Sequence, residues 1–380
     1  MSSESSEQPE FRGTIVSRSS ETEPQERYRP GGYHRVSIGE VFNQRYRAIE
    51  KIGWGLYSTV WAVEDMLTQT RVAMKVLVSE LTSDTTGWDE RGIMVTLRSR
   101  NPEAPGYRHI CRLLDDFIVV GPNGSHICLI TELMGPTVSD IIKYWPDLLP
   151  LSLVKRISKH VLLALQYMHD TCDMAHTDIK GDNIFMTGVR TTPTYPSLLK
   201  ISEDVVMSTT FKLGDFGSTN TMSNRYAAQI QPIALRAPEV LIEAGWDVKV
   251  DIFNFGCLVY EFITDDRLFN PGDGNEESGL DMPQTHLAQM VCLLGDFPQY
   301  LLTKGAYTDR YFDAEGNLLK GSGKYSAKLE ELLPDEEMEY FPPGELSLTA
   351  DFLKKALTID PIKRWSASQL LGHPWLQGIH

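Results

Sequence analysis

Cysteine is scarce and scattered in this sequence. Cys111, Cys128, Cys172, Cys257 and Cys292 form no C-x-x-C pair, so neither a disulfide framework nor a zinc site is expected, and a reducing compartment fits. Long apolar runs are missing too. None approaches the ~18 residues needed to span a bilayer. The first residues, MSSESSEQPE, hold no apolar signal region, so secretion is not expected. Internal repeats are absent. Positive charge is in deficit: 36 Lys and Arg against 51 Asp and Glu give a formal net charge of −15. That argues against nucleic acid as a direct partner and favours basic ligands or substrates, although acidity also serves solubility alone.

What remains is a globular composition. A chain of 380 residues with 42% hydrophobic residues can bury a sizeable core, as one large domain or one domain of two lobes plus a tail. Residues 1–30 are rich in Ser, Glu, Pro and Arg, with seven serines in the first 20 positions. Such a segment buries too little to offset its ordering, so a disordered or surface-lying tail is expected. From Tyr46 to Thr131 the runs YRAIEKI, STVWAVED, RVAMKVLV and ICLITE read as strands, with a helical stretch near Trp88 to Ser99. From Val154 onward helical spacing dominates, as in VKRISKHVLLALQYMH, VDIFNFGCLVYEFI and ADFLKKALTI. An α+β fold is expected: a small β-rich lobe over 31–134, a larger helical lobe over 135–380, and a cleft between them. Residues 272–284 and 313–326 read as long loops, so an insert is expected near 270–345.

The chemistry lies in short motifs. In Gly53-Trp54-Gly55-Leu56-Tyr57-Ser58-Thr59-Val60, two glycines between apparent strands allow a backbone to approach phosphates closely. Ser58 stands where such loops usually have a third glycine. By itself the pattern reads better as an ordinary hairpin turn. A dinucleotide-binding fingerprint is disfavoured because a strand follows it, not a helix. Val72-Ala73-Met74-Lys75 follows, with Lys75 placed to hold α- and β-phosphates. Its carboxylate partner is expected to be Glu90, with Asp89 as the other choice.

His176-Thr177-Asp178-Ile179-Lys180-Gly181-Asp182-Asn183 is the most specific segment. One loop pattern for phosphoryl transfer to a hydroxyl has an aspartate to accept the proton and, five residues later, an asparagine to bind magnesium. Asp178 and Asn183 have that spacing, and Lys180 can neutralise the transferring group. Asp215-Phe216-Gly217 supplies a second magnesium ligand in Asp215, and Ala237-Pro238-Glu239 follows. Each tripeptide alone could arise by chance; the ordered series could not.

With these residues in place, the chain from about Arg45 to Leu376 resembles the eukaryotic protein kinases. Within them it is similar to the SR-protein kinases, which phosphorylate serines in Arg-Ser-rich splicing factors. Gly31-Gly32-Tyr33-His34-Arg35-Val36 with Ile38-Gly39 resembles that family's G-G-Y-H-x-V-x-I-G, and Gly53-Trp54-Gly55 with Ser58-Thr59-Val60-Trp61 resembles its G-W-G-x-x-S-T-V-W. His176-Thr177-Asp178-Ile179-Lys180 matches its H-T-D-I-K, and the 32 positions from Asn183 to Asp215 leave room for a spacer at about 190–207.

The resemblance implies a bilobal kinase fold, ATP and Mg2+ as cofactors, and serine/threonine kinase activity. It places Ile52, Val60, Ala73 and Phe185 around the adenine, Thr131 as gatekeeper, and the backbones of Glu132 and Met134 on the adenine edge. It implies that Asp251 braces the catalytic loop and that Arg364 pairs with Glu239. It implies a basic, Arg-Ser-rich protein substrate, a monomer, no membrane partner, and a cytoplasmic or nuclear location. Departures are visible. Ile230-Gln231-Pro232-Ile233-Ala234-Leu235-Arg236 stands where the family reads I-Q-T-R-Q-Y-R, and Thr285 and Cys292 occupy places where acids are expected. Asp266 keeps one acidic place, and Asp265, Asp273, Glu276, Glu277 and Asp281 lie nearby. Three readings therefore stand: a kinase of basic serine-containing proteins, a kinase with another substrate, and a pseudokinase-like binding scaffold. A small-molecule kinase is disfavoured by the Ala237-Pro238-Glu239 element and Arg364.

Overall fold

The computed structural model describes residues 23–82, 88–188, 202–227, 229–273, 279–321, 323, 325, 327–334 and 340–379. Most of the expected tail, most of the 190–207 insert, and Glu276 and Glu277 lie outside the described residues. The chain divides into two compact units. The first holds the described residues up to Val95 with Arg112–Leu133 and Asp215–Ser218; the second holds Thr96–Cys111, Met134–Gly214 and the rest. The boundary expected at 134/135 thus falls one residue late. Segment 96–111, expected with the strand-rich part, goes with the second unit. Its anchors explain this: the Cys111 amide donates to the Leu213 carbonyl, and Gly106 lies against Leu163 and Tyr167 so closely that a Cβ would clash.

The first unit is built on one antiparallel sheet. Its strands are β1 (Val41–Phe42), β2 (Tyr46–Gly55), β3 (Ser58–Asp65), β4 (Thr70–Leu77), β5 (Leu113–Gly121) and β6 (Gly124–Glu132), in the order β1-β2-β3-β4-β6-β5. Tight connections such as Leu56-Tyr57 between β2 and β3 fix the register, with Gly55 opposite Ser58 and Gly53 opposite Val60. A register shift between Lys51 and Gly53 leaves Ile52 as the extra residue of a bulge. The alternating residues Tyr46, Ala48, Trp61, Val63, Val72, Met74, Val76, Cys128 and Ile130 form the core of this unit. Helices α1 (Ser79–Thr82) and α2 (Glu90–Ser99) follow β4.

The second unit is helical: α3 (Val138–Tyr144), α4 (Leu151–Gln166), α5 (Glu203–Ser208), α6 (Pro238–Leu241), α7 (Val250–Thr264), α8 (Met282–Leu294), α9 (Gln299–Lys304), α10 (Thr308–Tyr311), α11 (Glu345–Ala356) and α12 (Ala367–Leu371). Short strands β7 (Met174–Ala175), β8 (Ile184–Met186), β9 (Phe211–Leu213) and β10 (Asn220–Thr221) pair as β7 with β10 and β8 with β9. Helix α7 is apolar nearly all round because it packs on both α4 and α11. Among the described residues no helix is long and apolar enough to cross a membrane. The loop expected over 272–284 ends early: Asp281 accepts from the Gln284 amide and starts α8. Of the expected insert, residues 203–208 form α5, whose carbonyls at Ser208 and Thr209 are held by Arg156.

Burial sets the acid limit of the second unit. It pushes the imidazole of His109 down to about 4 and those of His160 and His286 to about 3. Each stays neutral in the folded chain, whereas an unfolded histidine takes its proton near 6.5. The unfolded state therefore binds more protons below that pH, and stability falls as pH falls. His286 is fully buried with no hydrogen-bond partner on either ring nitrogen. His286→Leu is expected to flatten the pH dependence of unfolding free energy below pH ~6 by up to about 1.4 kcal/mol per pH unit. Denaturant unfolding at a series of pH values checks this; an unaltered slope would show that His286 titrates normally.

Candidate active site

Each unit presents one cluster of the residues singled out from the sequence. In the first, Lys75 sits on β4 between Val60 of β3 and Leu129 of β6. Its ammonium donates to Glu90 Oε1 at 2.6 Å and to Asp215 Oδ1 at 2.8 Å. Glu90, not Asp89, is the partner. The Asp89 carboxylate instead accepts from the Gly92 amide at the start of α2, a local capping role. Burial alone would lower the Lys75 ammonium, and the charges of Asp215 and Glu90 reverse this and raise it. Burial raises the Glu90 carboxyl, with Lys75 opposing and Asp215 adding to the rise. One ammonium thus bridges two buried carboxylates. Asp215 holds that position with φ of +57°, a strained conformation for a non-glycine residue.

The glycine-rich hairpin of the first unit is strapped from outside. Tyr33, 1% exposed, donates its hydroxyl to the Gly55 carbonyl at 2.7 Å, and Arg27 reaches the Leu56 carbonyl at 2.5 Å. The segment is anchored in turn: Lys51 pairs with Glu23, and Asn123 donates to the Tyr33 carbonyl. Ser58, in the place of the third glycine, is buried. Ala73 pairs with Ala62 and Thr131 in the middle of the sheet. The Glu132 carboxylate is taken by Arg112, and the Thr131 hydroxyl lies 3.3 Å from the Glu132 carbonyl. Ile52, Gly53, Gly55, Val60, Ala73 and Glu132 therefore belong to the first unit, whereas Met134 and Phe185 belong to the second.

The second cluster lies between β7 and β8. Asp251, at the start of α7 and wholly buried, accepts the His176 amide at 2.7 Å and the Thr177 amide at 2.8 Å. It also meets His169 Nε2 at 2.8 Å. Thr177 is left-handed, with φ of +66°, and Asp251 is what holds it there. His176 Nδ1 accepts from the Asp178 amide and its Nε2 faces the Gly214 carbonyl, so Nε2 carries the proton. Asn254 donates to the Ile179 carbonyl. The Asp178 carboxylate receives Lys180 at 3.0 Å and Asn183 Nδ2 at 3.2 Å. Two glycines sit in close packing. A Cβ on Gly181 would lie 2.5 Å from Ser139 Oγ, and one on Gly214 would lie 3.1 Å from the Phe185 ring.

Asn183 tests the fit of magnesium. Its Nδ2 donates to the Asp178 carbonyl, but its buried Oδ1 has no hydrogen-bond partner. An orphaned carbonyl oxygen is costly unless something binds it, and a hard cation takes such an oxygen. Among the described residues no group of three or more His, Cys, Asp and Glu side chains could hold a metal. Magnesium uses one or two protein oxygens together with substrate phosphates and water. Asn183 and Asp215 fit it by their donor chemistry.

Between Thr219 and Arg236 the described arginines are held by neutral carbonyls: Arg225 reaches Trp246, and Arg236 reaches Ile230 at 3.0 Å and Gln231 at 3.1 Å. The Gln231 side chain bridges the Val250 carbonyl and the Ala237 amide. Arg364 and Glu239, both 1% exposed, form a bidentate pair at 2.7 and 2.9 Å. The remaining Arg364 donors reach the Thr358, Lys249 and Ile359 carbonyls, so the guanidinium is fully satisfied. Tyr33, His176 and Asn254 were not singled out as site residues from the sequence. The only signal for Tyr33 was its place in the Gly-Gly-Tyr-His run, and the partners of His176 and Asn254 are set by tertiary packing.

The family profile described as protein kinase domain matches residues 46–376. The chain is 30% identical over 403 residues to the serine/threonine-protein kinase SRPK of Physarum polycephalum, covering 95% of this chain and 92% of that protein. It is 26% identical to protein kinase dsk1 of Schizosaccharomyces pombe, over 93% of this chain and 85% of that one. It is 25% identical to SRSF protein kinase 3 of Homo sapiens, over 96% and 92%. Among solved structures, the crystal structure of a kinase domain superposes with a TM-score of 0.70 at 23% identity, covering 91% of this chain and 99% of that one; that likeness concerns the fold.

The strap generates a prediction. Tyr33→Phe removes the donor to the Gly55 carbonyl and the hydroxyl's contact with Arg27 while keeping the ring. A lost hydrogen bond of this kind is worth about 1 kcal/mol, or roughly fivefold. KM for ATP is expected to rise by that factor with a smaller change in kcat, as read from initial rates against ATP concentration. Equal KM values would separate the strap from nucleotide binding.

Proposed function

The chain belongs to the protein kinase family, and within it to the serine/threonine kinases of SRPK type, and on that premise we propose that it phosphorylates serines in basic, Arg-Ser-rich splicing factors. The observation that carries the reading is the second cluster: Asp178 held between Lys180 and Asn183, on a loop whose backbone is fixed by Asp251. In this reading Asp178 accepts the proton of the attacking hydroxyl. Lys180 offsets the charge of the transferring group, as its proximity to Asp178 Oδ2 allows. Lys75, oriented by Glu90, holds the nucleotide phosphates. Asn183 and Asp215 hold magnesium, which when bound neutralises the charge on those phosphates.

The basic character of the substrate draws on acids beside the loop. Burial raises the Glu261 carboxyl, and the charges of Asp182, Asp265 and Asp266 raise it further, against Arg267. Asp182 is the neighbour of Asn183, so this negative field borders the catalytic loop and suits an arginine-rich peptide. The acid expected in the family at Thr285 has no counterpart in function here, because Thr285 is fully buried. A kinase of other substrates draws on Ile233, an apolar side chain 40% exposed where the family has arginine. The complete set of Lys75, Glu90, Asp178, Asn183 and Asp215 speaks against a scaffold without activity.

The test is transfer from labelled ATP to Arg-Ser, acidic and neutral peptides. Arg-Ser peptides are expected to be preferred, with KM rising as salt rises, since exposed charges are screened within about 8 Å at physiological ionic strength. Equal turnover of acidic peptides would sink the substrate class. Asp178→Asn is expected to lower single-turnover transfer by roughly 10^2 to 10^4 while ATP still binds, the usual worth of a general base. Retention of more than about a tenth of the rate would remove Asp178 from that role. Because Thr177 carries no charge and Arg225 and Arg236 are engaged by carbonyls, phosphatase-treated protein is expected to be as active as untreated protein. A preparation inactive until its segment is phosphorylated would contradict this.

A further inference from the structure

Trp88 precedes helix α2 and belongs to no motif. Its side chain is buried, and its indole N–H donates to the Gly217 carbonyl at 2.6 Å. An indole nitrogen can only donate, so a buried tryptophan needs such an acceptor. Gly217 lies in the middle of the single helical turn Phe216–Ser218, two residues beyond Asp215. Two residues beyond Trp88, Glu90 holds Lys75, and Lys75 holds the Asp215 carboxylate. Segment 88–90 thus reaches segment 215–217 at both ends: directly, by the hydrogen bond from Trp88 to Gly217, and through Lys75, which Glu90 shares with Asp215.

This double hold has a purpose in the backbone. Asp215 sits at φ +57°, and a strained residue persists only where its surroundings determine it from both sides. The Lys75 ammonium fixes one carboxylate oxygen but cannot set the peptide that follows. The indole does that. We propose that Trp88 is a positioning residue for phosphoryl transfer, which by pinning the Gly217 carbonyl sets the orientation in which Asp215 meets magnesium. The proposal rests on the reading of Asp215 as a magnesium ligand.

The experiment compares full-length Trp88→Phe, Trp88→His, Glu90→Gln and the double variant Trp88→Phe/Glu90→Gln with the parent chain, using ATP, an Arg-Ser peptide and titrated magnesium chloride. Trp88→Phe keeps a ring and loses the donor. Its kcat is expected to fall roughly tenfold, as a misplaced Asp215 raises the transfer barrier. Its magnesium midpoint is expected to rise, and its KM for peptide to stay near that of the parent. Trp88→His, which keeps an N–H donor, is expected to regain part of both losses. In the double variant the two losses are expected to fall short of additive, because both act on one cluster.

A merely structural tryptophan would lower the melting temperature without moving the magnesium midpoint, and that result would overturn the proposal. So would a Trp88→His variant that melts like the parent yet is as impaired as Trp88→Phe; this comparison decides the matter even where the Phe variant is unstable. Loss in Glu90→Gln with none in Trp88→Phe overturns the role of Trp88 alone. Loss in neither overturns the reading of the cluster beneath it as well.

Discussion

Asp251 is a wholly buried carboxylate, and the catalytic loop is built around the need to satisfy it. An ionised carboxylate removed from water is tolerable only with donors around it. Here they are the amides of His176 and Thr177 and the ring of His169. Meeting that demand pulls Thr177 into a left-handed conformation and turns the chain so that Asp178, Lys180 and Asn183 converge. His176 and Asn254 then fasten the two sides of the same loop. The reactive geometry follows from the burial of a group that touches no substrate.

Charge is distributed differently in the other cluster. Asp251 is held by two backbone amides and a ring nitrogen, whereas Glu90 and Asp215 share the Lys75 ammonium. The first carboxylate fixes a backbone; the other two orient a side-chain cation. The segment after Asp215 follows a third pattern, in which both arginines face neutral carbonyls and impose order without a phosphate to gather.

Much of this was legible in the sequence because it depends on spacing along the chain. Asp178 and Asn183 are five residues apart and meet through a local turn. Glu90 was separable from Asp89 only once α2 was seen to begin at Glu90, which leaves Asp89 at the cap. The start of α8 was missed over 272–284, although Asp281 and Gln284 form a capping box with a proline between them. The bond from Trp88 to Gly217 spans 129 positions. No period or motif encodes such a pair; only packing of the first unit brings it about. The segment 96–111 was assigned to the strand-rich part because its residues precede β5, while the anchors that draw it away lie near Leu163 and Leu213.

The burial of Thr285 bears on how specificity is inherited. Relatives recognised by aligned residues share positions, but a position is a place on a surface only if the fold leaves it there. In this chain residue 285 lies inside α8, with its neighbour His286 against the Phe269 ring. An acid grafted there would be a carboxylate without water or partner, which the helix would expel or neutralise. Asp265 and Asp266 remain in solvent, whereas a residue-for-residue transplant of an acid to position 285 would damage the framework before it touched any ligand.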